Sequence, residues 1–200
     1  GGDIEYNPTL KAAVEKARAE NMPNDNINRA IKRGTGELEG NNFENITYEG
    51  YGPEGIAFIV ECLTDNRNRT AAEIRHAFDK YGGNLGTNGS VSFMFDLKGT
   101  IVIEKSDIDE EKIMLDAIEL GAEDFVSEGN FYEIYTKVED FNRIRDGLKD
   151  MDYKFEAADL MYIPENYQRI DNKENLANIE KLIEVLEDND DVQEVYNNWE

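Results

Sequence analysis

The sequence predicts an α+β protein in three domains: an N-terminal helical domain over residues 1–40, a discontinuous α/β domain over 41–97 plus 165–200, and an inserted ferredoxin-like βαββαβ domain over 98–164. Three observations point there. Two amphipathic helical stretches precede residue 40 with no strand pattern between them. From Gly99 the chain reads strand, helix, hairpin, helix, strand, the order of a ferredoxin-like unit. A helix and a short strand then follow a unit that is already complete, so the last strand needs an earlier sheet to join.

Composition bounds what such a chain can do. With 40% hydrophobic and 32% charged residues it can bury a core and is not disordered overall. No apolar run approaches the ~18 residues of a membrane helix and no signal peptide is visible, so no membrane partner is expected. Cys62 is the only cysteine, which excludes an intramolecular disulfide and makes a reducing cytoplasm the natural compartment. The net charge of −23 argues against unassisted, nonspecific binding to polyanions. That charge is uneven: residues 98–200 hold 11 basic and 29 acidic side chains, whereas residues 1–97 hold 10 and 15. The first half therefore keeps room for local basic surfaces.

Each element has a local reason. Asn7-Pro8 reads as an N-cap followed by proline at the first helical position, and Leu10, Ala13, Val14 and Ala17 mark an amphipathic helix to about Glu20. Pro23 interrupts it. A second helix runs from about Asn24 to Arg33, with Ile27, Ala30 and Ile31 inward and Gly34 at its end. On its opposite face Arg29, Lys32 and Arg33 sit at i, i+3 and i+4. They form either a contact patch or simply a set of cations complementing the helix C-terminus.

Asn41 and Asn42 open a linker into β structure. Strands are expected over Ile46 to Tyr51 and Ile56 to Leu63, joined by the turn signal Gly52-Pro53-Glu54-Gly55. The second is apolar on both faces and belongs inside a sheet. Thr64 to Phe95, TDNRNRTAAEIRHAFDKYGGNLGTNGSVSFMF, organises the rest. A polar loop with Arg67 and Arg69 leads into a helix that Thr70 and Glu73 are expected to cap reciprocally. Ala71, Ile74, Phe78 and Tyr81 make its buried stripe, Ala72, Arg75, His76 and Asp79 its outer face, and Gly82 or Gly83 its end. Val91, Phe93 and Phe95 then alternate as in a half-buried strand.

In the βαββαβ run, Thr100 to Glu104 is a strand and Ser106 caps a helix that contains Ile108, Met114, Leu115 and Ile118 and ends at Gly121. Ala122 to Ser127 and Phe131 to Thr136 pair about Glu128-Gly129-Asn130. Thr136 to Glu139 is a second capping box, and Lys154 to Ile163 closes the unit. After Pro164, a helix starting near Asp171 to Glu174 carries Leu176, Ile179, Ile183 and Leu186 on one stripe, and Val192 to Tyr196 is the last strand.

Thr64 to Phe95, with Asn21-Met22-Pro23-Asn24-Asp25-Asn26-Ile27, Thr47-Tyr48-Glu49-Gly50-Tyr51-Gly52-Pro53 and Asp191-Val192-Gln193-Glu194-Val195-Tyr196, closely resembles the YebC/PmpR family over essentially all 200 residues. The family includes bacterial proteins described as transcriptional regulators and a mitochondrial translational activator of a cytochrome oxidase subunit. The resemblance implies the same three-domain split and a nucleic-acid-associated regulator. Family members usually begin with a Lys-rich helical segment, whereas this chain starts at Gly1-Gly2-Asp3, so the basic N-terminal segment is expected to be missing. Glu54 stands where a glycine is common, and Asn197 where a histidine is.

One histidine and one cysteine cannot supply the usual N/S metal set, and no Gly-Lys-Ser/Thr follows either glycine-rich stretch, so neither metal nor cofactor is expected. Cys62 on an apolar strand reads as a structural thiol. The Arg67/Arg69 loop has two readings: ion pairs with carboxylates such as Asp65 or Glu61, or a nucleic-acid surface. Asn66, Asn68, Thr70 and Asn84 favour the second, gathering uncharged hydrogen-bonding groups around guanidinium forks suited to phosphates and base edges. The expected partner is nucleic acid, either promoter DNA or ribosomal or messenger RNA with the ribosome as a candidate partner. The candidate contacts are Asn66, Arg67, Asn68, Arg69, Thr70, Arg75, His76 and Asn84, with Arg29, Lys32 and Arg33 as a second patch. An acidic adaptor for basic proteins and a small-molecule-binding ferredoxin-like protein are the competing readings.

Overall fold

The computed structural model describes residues 2–4, 7–19, 22, 24–35, 43–106 and 108–200; Pro23 and the Asn41-Asn42 linker lie outside them. Helix α1 (Pro8–Ala19) opens as expected, with the Asn7 Oδ1 accepting from the Leu10 amide at 3.1 Å. Helix α2 (Asn24–Gly34) follows, and Val14 and Ile27 are buried.

Two four-stranded antiparallel sheets follow. The first has the order β3-β1-β2-β8, from β1 (Glu44–Tyr51), β2 (Ala57–Thr64), β3 (Asn84–Leu85) and β8 (Val192–Asn197). Helices α3 (Arg67–Lys80) and α6 (Lys173–Glu187) cover one face of it. β2 is buried on both sides because its alternate residues serve two cores. Ile56, Phe58, Val60 and Cys62 meet Ile74, Phe78, Leu182 and Leu186 under the helices, with the Phe58 and Phe78 rings edge-on at 5.6 Å. Ala57 and Ile59 face the other way, toward Val91, Phe95 and Tyr196. α3 ends as glycine spacing requires: Gly82 has φ +81 and the Gly83 amide donates back to the Phe78 carbonyl at 2.8 Å.

The second sheet has the order β5-β6-β4-β7, from β4 (Phe95–Glu104), β5 (Asp124–Glu128), β6 (Phe131–Thr136) and β7 (Ala157–Pro164). Helices α4 (Glu110–Leu120) and α5 (Phe141–Asp150) bury Ile113, Ala117, Ile144 and Leu148 against Ile101, Ile103 and Ile134. Met161 and Tyr162 of β7 pack against the outer core of the first sheet.

Four local expectations are corrected. α3 starts at Arg67 with Asn66 as its cap, because the Thr70 hydroxyl is engaged in the interior and cannot cap. Residues 92–94 form a short 3-10 turn in place of a strand from Val91. The Glu49 carboxylate takes the amides of Gly89, Val91 and Ser92 at 2.7–2.9 Å, so those amides have no ladder to join. Phe93 is turned outward, 70% exposed, and the strand begins at Phe95 and runs unbroken to Glu104. Asp109, not Ser106, caps α4, accepting from the Lys112 amide. Thr136 is buried at the end of β6, its hydroxyl donating to the Lys137 carbonyl, and α5 opens later at Phe141.

Candidate nucleic-acid interface

The start of α3 is held from below by a polar cluster that closes over the ends of β2 and β8. The Asp191 carboxylate accepts from Thr70 Oγ1 at 2.7 Å and Thr64 Oγ1 at 3.1 Å. Both Asp191 oxygens accept from Arg69 Nη2, at 2.6 and 2.9 Å, and the same nitrogen reaches Asp65 at 3.0 Å. Burial pushes the Asp191 carboxyl up, but the hydrogen bonds from Arg69, Thr70 and Thr64 outweigh it and hold it below the usual carboxylate range. Of the two readings of Arg69, the ion pair is therefore the one seen, with Asp191 as its main partner. Thr70 is fully buried and out of reach of any ligand, which removes it from the contact set.

Arg67 is placed differently. Its side chain is 65% exposed and lies 3.9 Å from a half-exposed Glu44 carboxylate, a contact worth little in water. Tyr48 fixes its backbone by donating to the Arg67 carbonyl at 3.4 Å. Asn68, Arg75 and His76 are exposed, and neither Arg75 nor His76 has an ion-pair partner among the described residues. Because Ile74, Ala77 and Phe78 anchor the inner face, these outer groups are presented on a rigid helix.

The structure does not bring every candidate to that end. Asn84 pairs with Tyr51 at one end of β1, while Arg67 sits by Glu44 at the other, about 20 Å away at ~3.3 Å per residue. Lys32 is exposed on α2, and the side chains of Arg29 and Arg33 lie outside what the structure describes. Two residues that sequence reasoning passed over matter here. Asp191 stands in the quoted Asp191-to-Tyr196 motif but gave no local sign of this role, since Thr64, Arg69 and Thr70 are more than a hundred residues away. Glu49 did carry one, as an acid in a strand ahead of a glycine-rich loop.

Other chemistry is poorly served. Among the described residues no group of three His, Cys, Asp or Glu converges to hold a metal ion. The buried Cys62 thiol is pushed up to about 12 by burial and then by the charges of Asp191 and Glu61, the opposite of an activated nucleophile. No helix among the described residues is long and apolar enough to cross a membrane.

Against known proteins, residues 1–37 match the TACO1/YebC protein N-terminal domain and residues 43–199 the TACO1/YebC second and third domain. A probable transcriptional regulatory protein of Finegoldia magna is 58% identical over 200 residues, spanning all of this chain and 83% of the relative. One from Halothermothrix orenii is 53% identical over 202 residues, spanning all of this chain and 80% of its own length. The crystal structure of a conserved hypothetical protein from Aquifex aeolicus superposes with a TM-score of 0.84 at 44% identity, covering all of this chain and 82% of that one.

Proposed function

The chain belongs to the TACO1/YebC family, and on that premise we propose that it is a non-enzymatic regulator of gene expression that grips nucleic acid through the outer face of α3. The observation carrying this reading is the arrangement of Arg67 and Arg75, two exposed arginines on a helix whose inner face is locked into a core. Asn68 and His76 stand beside them as hydrogen-bonding groups, and the α2 patch of Arg29, Lys32 and Arg33 is a second contact. Both patches lie in the half of the chain that carries little net charge.

RNA in a ribosomal setting is the favoured target over free promoter DNA. A chain with a net charge of −23 and two small basic patches holds a free duplex poorly, whereas protein contacts on a ribosome share the work. The boundaries 1–40, 41–97 plus 165–200 and 98–164 are proposed as the domains, and the reducing cytoplasm as the compartment. The test is sedimentation of the protein through a ribosome gradient, with and without nuclease, beside a gel shift on duplex DNA. Nuclease-sensitive comigration with ribosomal particles supports the reading. A shift on duplex DNA alone moves it to transcription, and ribosome association that survives nuclease assigns the contact to protein.

A further inference from the structure

Helices α3 and α6 leave a cavity of about 240 Å³ between them, on the same helix that carries the proposed nucleic-acid contacts. Its floor is apolar: Ala77 and Leu186 are buried there, and Val185 of α6, 39% exposed, forms a wall. Its polar end is made by Glu73 and Asn189. Asn66 caps α3 in place of the expected Thr70–Glu73 box, so the Glu73 carboxylate is not spent on the helix end. It turns to α6, where one oxygen accepts from Asn189 Nδ2 at 2.9 Å. Asn189 is itself fixed, because its Oδ1 accepts from the Asp191 amide at 2.9 Å. The Arg69–Asp191 cluster therefore holds Asn189, and Asn189 holds Glu73 beside the cavity. His76 and Lys80 stand on the α3 side, both exposed.

This lining restricts what can enter. The cavity is smaller than the roughly 300 Å³ at which pockets for drug-sized ligands begin, and its apolar floor suits a flat ring. Among the described residues Glu73 has no cation partner, and its second oxygen accepts from no donor. An anion inside would face that carboxylate, and a cation would have to pass His76 and Lys80. A neutral ring that carries N–H donors on one edge meets neither obstacle.

We propose that the cavity takes an unpaired guanine base of the bound RNA, an inference that rests on the reading of the α3 face as a nucleic-acid contact. Guanine carries two adjacent donors, N1–H and N2–H, on its Watson–Crick edge, and one carboxylate accepts both. Adenine and cytosine set an unprotonated ring nitrogen against Glu73 at that position, and uracil flanks its one N–H with carbonyls. Proteins read unpaired bases in this way, by edge hydrogen bonds and by stacking on rings such as histidine. His76 is placed to stack at the opening, and Lys80 to meet the flanking phosphate as a point charge. Glu184 and Asp188, exposed on α6, keep the phosphates to the α3 side. Glu73 thus contributes selectivity, where Arg67 and Arg75 contribute affinity.

The test is binding of short fluorescein-labelled oligouridine RNAs to the whole protein, read by anisotropy, with a single guanosine, inosine or adenosine at the centre. The guanosine RNA is expected to bind about tenfold more tightly than the adenosine RNA, with inosine, which lacks the 2-amino group, between them. Glu73→Gln is expected to bring the guanosine and adenosine RNAs within about twofold of each other. Val185→Trp, which fills the cavity from an exposed position and leaves the carboxylate in place, is expected to do the same. A parent protein that binds all these RNAs equally overturns the guanine pocket and leaves the α3 contact standing. A guanosine preference that survives both variants places the base elsewhere and overturns it too. Failure to bind any of the RNAs overturns the pocket together with the reading it rests on.

Discussion

Arg69 and Asp191 are 122 residues apart in the chain, and their charged atoms are 2.6 Å apart in the fold. The pair ties the first turn of α3 to the entry of β8, and Thr64 and Thr70 complete it from beneath. One helix end thus holds two arginines with different duties. Arg69 is tied to Asp191 at the entry of β8 with its side chain still 43% exposed, and Arg67, two residues earlier, stays in solvent.

Removing Asp191 should therefore be costly. Asp191→Ala removes the buried acceptor that Thr64 and Thr70 share and releases Arg69, and is expected to lower stability by roughly 2–4 kcal/mol. Arg67→Glu, an exposed change, should stay within about 0.5 kcal/mol of the parent. Urea unfolding of both variants checks the contrast; equal stabilities would remove the clasp.

Acid should loosen the fold through two carboxylates. For Glu49, burial pushes the carboxyl up, but the amides of Gly89, Val91 and Ser92 outweigh it and hold it below its ordinary value. Asp191 is depressed likewise. A depressed carboxyl stabilises fully above its unfolded pKa, about 4.3 for Glu and 3.9 for Asp, and that contribution is lost as pH falls through the folded value. Stability is expected to drop below about pH 4.5, and Glu49→Gln should flatten that drop while lowering stability at neutral pH. Unfolding midpoints measured from pH 3 to 7 test the sign.

Glu61 should behave in the opposite sense. Burial and then the Glu194 charge raise its carboxyl, so its ionised form opposes folding at neutral pH and the penalty is relieved as pH falls through the raised value. Glu61→Gln is expected to stabilise the free protein at neutral pH by up to about 1 kcal/mol. A loss of stability in thermal unfolding would contradict that repulsion.

Apolar periodicity was enough to read much of the first helix-covered core and the α5 side of the second, but not α4, where Ile113 and Ala117 are buried and Leu115 and Ile118 are exposed. Ile74 and Phe78 of α3, the two-faced β2 and Ile179 and Leu186 of α6 appear as the spacing implied, whereas Ala77 and Leu182 complete the core without having been read and Ala71 stays out of it. Caps were less legible. Thr70, Ser106 and Thr136 each had the right residue type, but a threonine that can cap can equally bond to a distant carboxylate, as Thr70 does, or to the next residue's carbonyl, as Thr136 does. The turn at Ser92–Met94 was hidden for the same reason, since the Glu49 side chain comes from another strand. At the candidate interface, sequence found the cationic end of α3 but could not separate Arg67 from Arg69, whose difference lies in Asp191.

The central claim is that Arg67 and Arg75 contact phosphate. It is tested most directly by measuring affinity for single-stranded RNA across a salt series, for the parent protein and for Arg67→Glu combined with Arg75→Glu. About 3–5 phosphate contacts from the two basic patches give an expected parent slope of log K against log salt of roughly −2 to −4. The double variant is expected to keep its thermal stability, bind at least about tenfold more weakly, and show a slope shallower by about 1.4, near 0.7 for each lost contact. Unchanged affinity and slope in a folded double variant would contradict the claim.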